Sequence, residues 1–257
     1  MTVSFAERAA VAHVRLERPA KRNALTRAML DRLAEVFAGV AARRDLRAVI
    51  LSGAGRDFCA GTDIAELESL DEAGAHRKAG RGQEVCDRVE LCGVPVIAAV
   101  QGAAAGGGCE LALACHLRVA ATDARFSLPE TKLGVIPAYG GTQRLARAVG
   151  RGRALASMLA GDEINADEAL RLGLVNRVAP PERLLAEAEA LARSVADASA
   201  PLAVRACLEA VARGARLPFD EALELEAELF SRLFSTEDVR EGTRAFLEKR
   251  KPNFKGR

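Results

Sequence analysis

A short apolar strand, a turn rich in glycine or polar residues, and an amphipathic helix follow one another three times in this 257-residue chain. The strands are predicted at residues 11–19 ("VAHVRLERP"), 47–53 ("RAVILSG") and 94–102 ("VPVIAAVQG"). After the first strand, Thr26 is expected to cap a helix whose apolar residues fall on one face. Strands that alternate with helices favour an α/β fold over separate all-β and all-α parts.

From about residue 180 onward the sequence predicts helices alone, in three segments separated by proline and glycine. Their apolar side chains need a surface to cover, which we expect to be both the α/β part and a neighbouring subunit. These side chains are Leu223, Leu229, Phe230, Leu233, Phe234 and Phe246.

The charge balance and the cysteines exclude several classes of protein. Lys and Arg number 37 against 35 Asp and Glu, so neither nucleic-acid binding nor membrane binding is expected. The first ten residues are charged where a signal peptide needs an apolar stretch, and the six cysteines form no C-x-x-C pair. We therefore expect reduced thiols in a cytoplasmic protein. Cys109, Cys115 and His116 do not have zinc-ribbon spacing, and no metal site is expected.

Three glycines run directly into a predicted helix that carries Glu110 on its first turn ("AAAGGGCELALAC", residues 103–115). Small residues also fill "FCAGTDI" (58–64), where the backbone N–H of Ala60 could point outward. Together with the N–H of Gly107 at the helix N-terminus, it could form an oxyanion hole. The glycines match neither a dinucleotide fingerprint nor a P-loop, and the alternative is that they only permit close packing of helix on strand.

Two glutamates lie among apolar neighbours, Glu110 in the glycine-rich segment and Glu130 after "RFSLP". Carboxylates in such surroundings suggest a chemical role. The alternative is that either glutamate pairs with an arginine such as Arg118 or Arg144 and simply holds the fold.

Four segments together resemble the enoyl-CoA hydratase/isomerase, or crotonase, family: "FCAGTDI", "VIAAVQGAAAGGGCELALAC", "PETKLGVIPAYGGTQRL" and "EGTRAFLEKRKPNFKG". The resemblance implies a crotonase-like spiral of ββα repeats over residues 1–198, which contains the acyl-CoA site. It also implies a C-terminal helical trimerisation region over residues 199–257, with a homotrimer or a hexamer made of two trimers. The partner is an acyl-CoA thioester, and no cofactor is expected because coenzyme A is part of the substrate.

The resemblance assigns roles to the singled-out residues. The N–H groups of Ala60 and Gly107 would polarise the thioester carbonyl, Glu110 would activate water, and Glu130 would protonate C2. This chemistry is that of an enoyl-CoA hydratase, which converts a 2-trans-enoyl-CoA to a 3-hydroxyacyl-CoA. The family also contains Δ3,Δ2-enoyl-CoA isomerases, which often use a single acid near the position of Glu130, so retention of Glu110 favours hydration. A more distant alternative is an RNA-binding relative.

Further contacts to the substrate and its CoA moiety follow from the same resemblance. They are expected at Arg22, Ala24, Cys59, Gly61, Thr62, Asp63, Ile64, Gly106, Pro137, Ala138, Tyr139, Phe246 and Lys249. Thr62, His116, Ala138 and Tyr139 depart from the commonest family pattern. His116 is expected to be structural and Tyr139 to line the pocket, which leaves the preferred acyl chain open.

Overall fold

The computed structural model describes residues 2–257, which form two β-sheets surrounded by helices. The nine strands are β1 (Val3–Arg8), β2 (Val11–Leu16), β3 (Ala48–Gly53), β4 (Val96–Val100), β5 (Ala103–Ala105), β6 (Leu117–Ala121), β7 (Arg125–Ser127), β8 (Ile164–Asn165) and β9 (Arg177–Ala179). The larger sheet has the order β1-β2-β3-β4-β6-β9, and all its pairs except β1–β2 are parallel. The smaller sheet has the order β5-β7-β8.

Helices connect the strands up to β9, and from α7 onward the chain is helical. They are α1 (Arg27–Ala42), α2 (Glu72–Glu90), α3 (Gly107–Ala114), α4 (Gly141–Val149), α5 (Arg151–Leu155), α6 (Ala166–Arg171), α7 (Leu184–Ala198), α8 (Pro201–Gly214), α9 (Phe219–Leu233) and α10 (Glu237–Leu247). The alternation of strands and helices confirms the predicted α/β fold. The predicted cap of α1 is also confirmed, because the Thr26 side chain accepts a hydrogen bond from the N–H of Met29 (3.3 Å).

Both faces of the larger sheet are buried, which explains why β3 and β4 are apolar at almost every position. On one face, Ile50 and Ile97 pack in a cluster with Leu184 and Ala188 of α7. The alternate strand residues, such as Leu51 and Val96, point into the larger core on the opposite face. The "FCAGTDI" segment follows the carboxyl end of β3, and the glycine-rich segment before α3 follows that of β4.

Several features of the fold differ from the sequence-based expectation, and the short strands β5, β8 and β9, which were not predicted, are among them. Strand β1 was not predicted; it lies at the edge of the sheet, and its exposed charged end gives only a weak apolar signal. The last helical segment, predicted as continuous, is divided into α9 and α10 because Thr236 begins a new helix by accepting a hydrogen bond from the N–H of Val239 (3.4 Å). The predicted division of the chain at residue 198 coincides with the end of α7 and stays a prediction.

Within residues 2–257, none of the helices combines the length and the apolar character that crossing a bilayer requires.

Asn23 fastens the segment that leads into "FCAGTDI". The side chain is fully buried, its Nδ2 donates to the carbonyls of Ala54 (2.9 Å) and Asp57 (2.8 Å), and its Oδ1 accepts from the N–H of Arg18 (2.9 Å). Its φ of 56° lies in the left-handed region that asparagine tolerates better than most residues. This side chain therefore holds two loops against each other directly before Cys59.

We expect Asn23→Ala to lower the free energy of unfolding by about 2–5 kcal/mol, because buried carbonyls would lose their donor and alanine disfavours positive φ. Urea unfolding measures the change. Asn253→Ala is the matched control, since Asn253 is exposed and uses only its backbone N–H in a hydrogen bond. A loss below about 1 kcal/mol for Asn23→Ala would show that the network does not hold these loops.

Candidate active site

The "FCAGTDI" segment lies directly against β5 and the start of α3. The N–H of Cys59 donates to the carbonyl of Ala103, and the N–H of Ala105 donates to the carbonyl of Cys59, both at 3.0 Å. A Cβ added to Gly108 would overlap the carbonyl oxygen of Cys59, and one added to Gly61 would lie 2.7 Å from the carbonyl oxygen of Ala105. Close packing therefore requires some of these glycines, which agrees in part with the alternative that they permit the helix to pack closely on the strand.

The same contact brings together two backbone N–H groups that form no hydrogen bond within the described part of the fold, those of Thr62 and Gly107. Gly107 is the first residue of α3, where N–H groups have no intrahelical partner. Its nitrogen lies 3.3 Å from the position that a Cβ on Gly61 would occupy. Among residues 2–257, neither the N–H of Gly107 nor that of Thr62 donates a hydrogen bond to a protein group.

The prediction that Ala60 supplies an oxyanion donor is wrong in this geometry. Its N–H donates to the carbonyl of Arg22 at 2.9 Å and is therefore occupied. The N–H of Leu25 donates to the carbonyl of Gly61, and the carbonyl of Leu25 accepts from the N–H of Asp63. Because successive N–H groups of an extended segment alternate in direction, the N–H of Thr62 points away from Leu25. Gly61 adopts a φ of 100°, and the sequence alone does not reveal how this turn reorients the following peptide.

Glu110 is buried on the first turn of α3, with 2% of its surface exposed. Its Oε1 accepts hydrogen bonds from the N–H groups of Tyr139 and Gly141, both at 2.7 Å. Burial raises the pKa of Glu110, and the two N–H donors oppose that shift because they stabilise the carboxylate. The loop before α4 thus fixes one carboxyl oxygen and leaves the other available for chemistry.

Glu130 follows β7 and begins a short 3₁₀ turn. Its carboxyl group faces Gly106, the residue before α3, since Oε1 would lie 3.0 Å from a Cβ added to that glycine. Burial raises the pKa of Glu130 to about 7, and the charge of Glu110 contributes to the shift. Its Oε2 is buried, and within residues 2–257 no protein group hydrogen-bonds to it.

Neither arginine that could have neutralised these glutamates pairs with them. The Arg118 guanidinium donates to the backbone carbonyls of Leu174 (2.6 Å) and Cys115 (2.5 Å). Arg144 forms ion pairs with Asp87 (2.9 Å) and Glu90 (2.8 Å). The alternative that Glu110 and Glu130 serve only as ion-pair partners of these arginines is therefore not what the structure shows.

Several predicted contact residues bond to other parts of the fold through their side chains, and their contacts to CoA stay predictions. Arg22 forms an ion pair with Asp57 (2.7 Å), and Asp63 forms one with Arg18 (2.6 Å). The Cys59 side chain is fully buried, and its thiol donates to a backbone carbonyl at 3.2 Å. These side chains shape the segment, and the sequence could not reveal their partners because the partners lie on other loops.

The remaining predicted contacts divide by location. Gly61, Thr62, Gly106 and Tyr139 surround the two N–H groups and Glu110, whereas Ile64, Phe246 and Lys249 are exposed and stay predictions. Of the others, Ala24 and Ala138 are half-buried and Pro137 is buried.

His116 behaves as the structural residue that was expected. Its Nδ1 accepts from the N–H of Val96 (2.9 Å), and its Nε2 lies 3.0 Å from the carbonyl of Glu90. Burial lowers the pKa of His116, so the ring is neutral and both nitrogens are engaged.

Free backbone donors beside the buried carboxyl group of Glu110 and the half-buried one of Glu130 define a site that can polarise a carbonyl and move protons at the neighbouring carbons. A sequence model of the family described as "Enoyl-CoA hydratase/isomerase" matches residues 6–257. The chain therefore belongs to this enoyl-CoA hydratase/isomerase family, as its motifs indicated.

Named relatives and solved structures agree with this assignment. The chain is 43% identical to a short-chain-enoyl-CoA hydratase of Clostridium acetobutylicum over 96% of this chain and 95% of that protein. It is 45% identical to a crotonyl-CoA hydratase of Syntrophomonas wolfei over 93% and 92% of the two chains. A crystal structure of an enoyl-CoA hydratase from Bacillus anthracis superimposes with a TM-score of 0.95 at 37% identity, over 100% of both chains, which confirms the expected crotonase fold.

Proposed function

We propose that this protein is an enoyl-CoA hydratase that reversibly adds water across the C2=C3 bond of a 2-trans-enoyl-CoA to give a 3-hydroxyacyl-CoA. The observation that carries the proposal is the pair of carboxyl groups, Glu110 buried and Glu130 half-buried, in unequal surroundings beside free backbone donors. The names of the similar proteins support the same reaction. No cofactor enters this scheme, since coenzyme A arrives as part of the substrate.

The thioester oxygen would bind between the N–H groups of Thr62 and Gly107. When a nucleophile attacks C3, negative charge develops on this oxygen as an enolate forms. Fixed N–H donors in a site shielded from water stabilise that charge without having to reorganise. The positive end of the α3 dipole adds to the effect at Gly107.

The two glutamates would divide the proton transfers. Glu110, whose carboxylate is stabilised by two backbone N–H donors, takes a proton from water as the oxygen attacks C3. Glu130, whose pKa lies near 7, starts protonated and gives its proton to C2. One water is consumed, with its OH on C3, and exchange with solvent returns both carboxyls to their starting states.

We expect Glu110→Gln and Glu130→Gln each to lower kcat for crotonyl-CoA hydration by about 10²–10⁴, because each removes one proton-transfer group. Loss of the ultraviolet absorbance of the conjugated thioester measures the rate. Glu221→Gln, at an exposed position on α9, is the matched control and should keep full activity. If folded wild-type protein isomerised 3-enoyl-CoA much faster than it hydrated 2-enoyl-CoA, the isomerase reading would replace this proposal.

The raised pKa of Glu130 predicts the pH dependence. Because the acid must be protonated and its pKa is about 7, kcat/KM should fall as pH rises through about 7, approaching tenfold per unit well above it. A profile of kcat/KM for crotonyl-CoA from pH 5 to 9 measures this, and the residual activity of Glu130→Gln should lack the decline. A wild-type profile that stays flat to pH 9 would remove Glu130 from the role of acid.

The assembly we propose is a homotrimer, or a hexamer of two trimers, formed through the C-terminal helices. The support is the exposure of large apolar side chains there, including Phe230 (62%), Phe246 (84%) and Leu247. In such an assembly Phe246 and Lys249 would approach the CoA moiety bound at a neighbouring subunit. The free thiols, five of them buried, support the cytoplasm as the compartment.

Light scattering should give a mass of three or six chains, and Phe230→Glu should shift it toward the monomer because a charge would enter the apolar contact. Glu224→Gln, on the same helix and exposed, is the control that should leave the mass unchanged. A monomeric wild type at micromolar concentration would contradict the assembly.

A further inference from the structure

Two of the residues that depart from the commonest family pattern touch each other in the structure. Thr62 Oγ1 donates a hydrogen bond to the hydroxyl of Tyr139 at 3.0 Å. The Tyr139 side chain is almost completely buried, with 4% of the residue exposed. The position of the Tyr139 ring therefore depends on Thr62, and the two departures need to be considered together.

The Tyr139 ring fills the space between α2 and the start of α3. A Cβ added to Gly82 of α2 would overlap the ring, and a Cβ added to Gly107 would lie 2.9 Å from its Cε2. Both neighbours must therefore be glycine while the ring stays where it is. The ring reaches the first residue of α3, whose N–H is one of the two proposed thioester donors.

The ring is also held next to the proposed base. The N–H of Tyr139 donates to Glu110 Oε1 at 2.7 Å, and Arg144 donates to the carbonyl of Tyr139 at 3.1 Å. The side chain of Gln83 donates to the carbonyl of Ala138 at 2.9 Å. With the backbone fixed on both sides and the hydroxyl bonded to Thr62, the ring has a defined position.

We propose that Tyr139 is the end wall of the acyl pocket and selects short acyl chains, with Gly82 and Thr62 holding the ring in place. This inference rests on the proposed function for its substrate, an acyl-CoA thioester. In the proposed binding mode the thioester oxygen lies at Thr62 and Gly107, with C2 and C3 beside Glu110 and Glu130. Because the Tyr139 ring lies beside Gly107 and its N–H beside Glu110, the carbons beyond C3 would approach the ring. Each additional methylene then meets the ring, so selection is steric.

The test compares 2-trans-enoyl-CoA substrates of four, six, eight and ten carbons with wild type, Tyr139→Ala and Tyr139→Phe. We expect wild-type kcat/KM to fall steeply beyond six carbons. Tyr139→Ala should raise the eight-carbon to four-carbon ratio at least tenfold, because it removes the wall. Tyr139→Phe keeps the ring and should keep the wild-type order of substrates.

Equilibrium binding of butyryl-CoA and octanoyl-CoA by calorimetry separates this inference from the proposed function. These saturated thioesters cannot be hydrated, so their relative affinity reports the pocket alone. If wild type fails to hydrate any enoyl-CoA but Tyr139→Ala still improves octanoyl-CoA over butyryl-CoA tenfold, the function is wrong and the wall is supported. If wild type binds both equally, or folded Tyr139→Ala changes neither ratio, the wall is refuted.

A rescue experiment tests the contact with α2. Gly82→Ala should push the ring toward the donors and lower crotonyl-CoA kcat/KM, and the double variant Gly82→Ala/Tyr139→Ala should recover that loss. Gly80→Ala, on the same helix with nothing within 4 Å of the added Cβ, is the matched control that should leave the rate unchanged. Equal losses in Gly82→Ala and in the double variant would show that the ring does not transmit the change.

Discussion

The close approach of two backbone segments, Cys59–Thr62 and the start of α3, is the constraint on which the rest of the site depends. It exists because Gly108 and Gly61 have no side chains at the points of contact. The hydrogen bonds between Cys59 and β5 fix the register of the two segments relative to each other. The N–H of Gly107 comes beside Thr62 through this contact, and Glu110 follows three residues later on the first helical turn. Backbone packing therefore fixes both the donors and the first carboxyl.

One site holds two carboxyl groups whose surroundings differ. Burial disfavours the charge on both, but only Glu110 receives compensation from two backbone N–H donors. Burial, with a contribution from the charge of Glu110, raises the pKa of Glu130 to about 7, and its Oε2 has no hydrogen-bond partner among the described residues. The loop before α4 is the cause of this difference, since it supplies both donors. Because the groups interact, the proton states belong to the pair as well as to each member.

The sequence predicted what local patterns determine. The cap at Thr26, the buried strands and the helical C-terminal part follow from residue type and spacing, and the structure contains them. Sequence reasoning failed where a long-range backbone contact decides the outcome. Ala60 was chosen as a donor, but the carbonyl of Arg22 occupies its N–H, and the bonds of Leu25 to Gly61 and Asp63 show why Thr62 is the free one. The ion pairs of Arg22 and Asp63 were hidden for the same reason.

Thr62 and Tyr139 show why departures from a family pattern need to be considered together. Taken singly, a threonine in a tight turn and a tyrosine in a small-residue loop would each suggest a disturbed site. In the structure the two hydroxyl groups satisfy each other, which removes the cost of burying either one alone. Gly82 completes the arrangement, because a larger residue on α2 would have no room beside the ring. Space for substrate near Gly107 is thus set by three residues that are far apart in sequence, and it changes when any one of them is replaced.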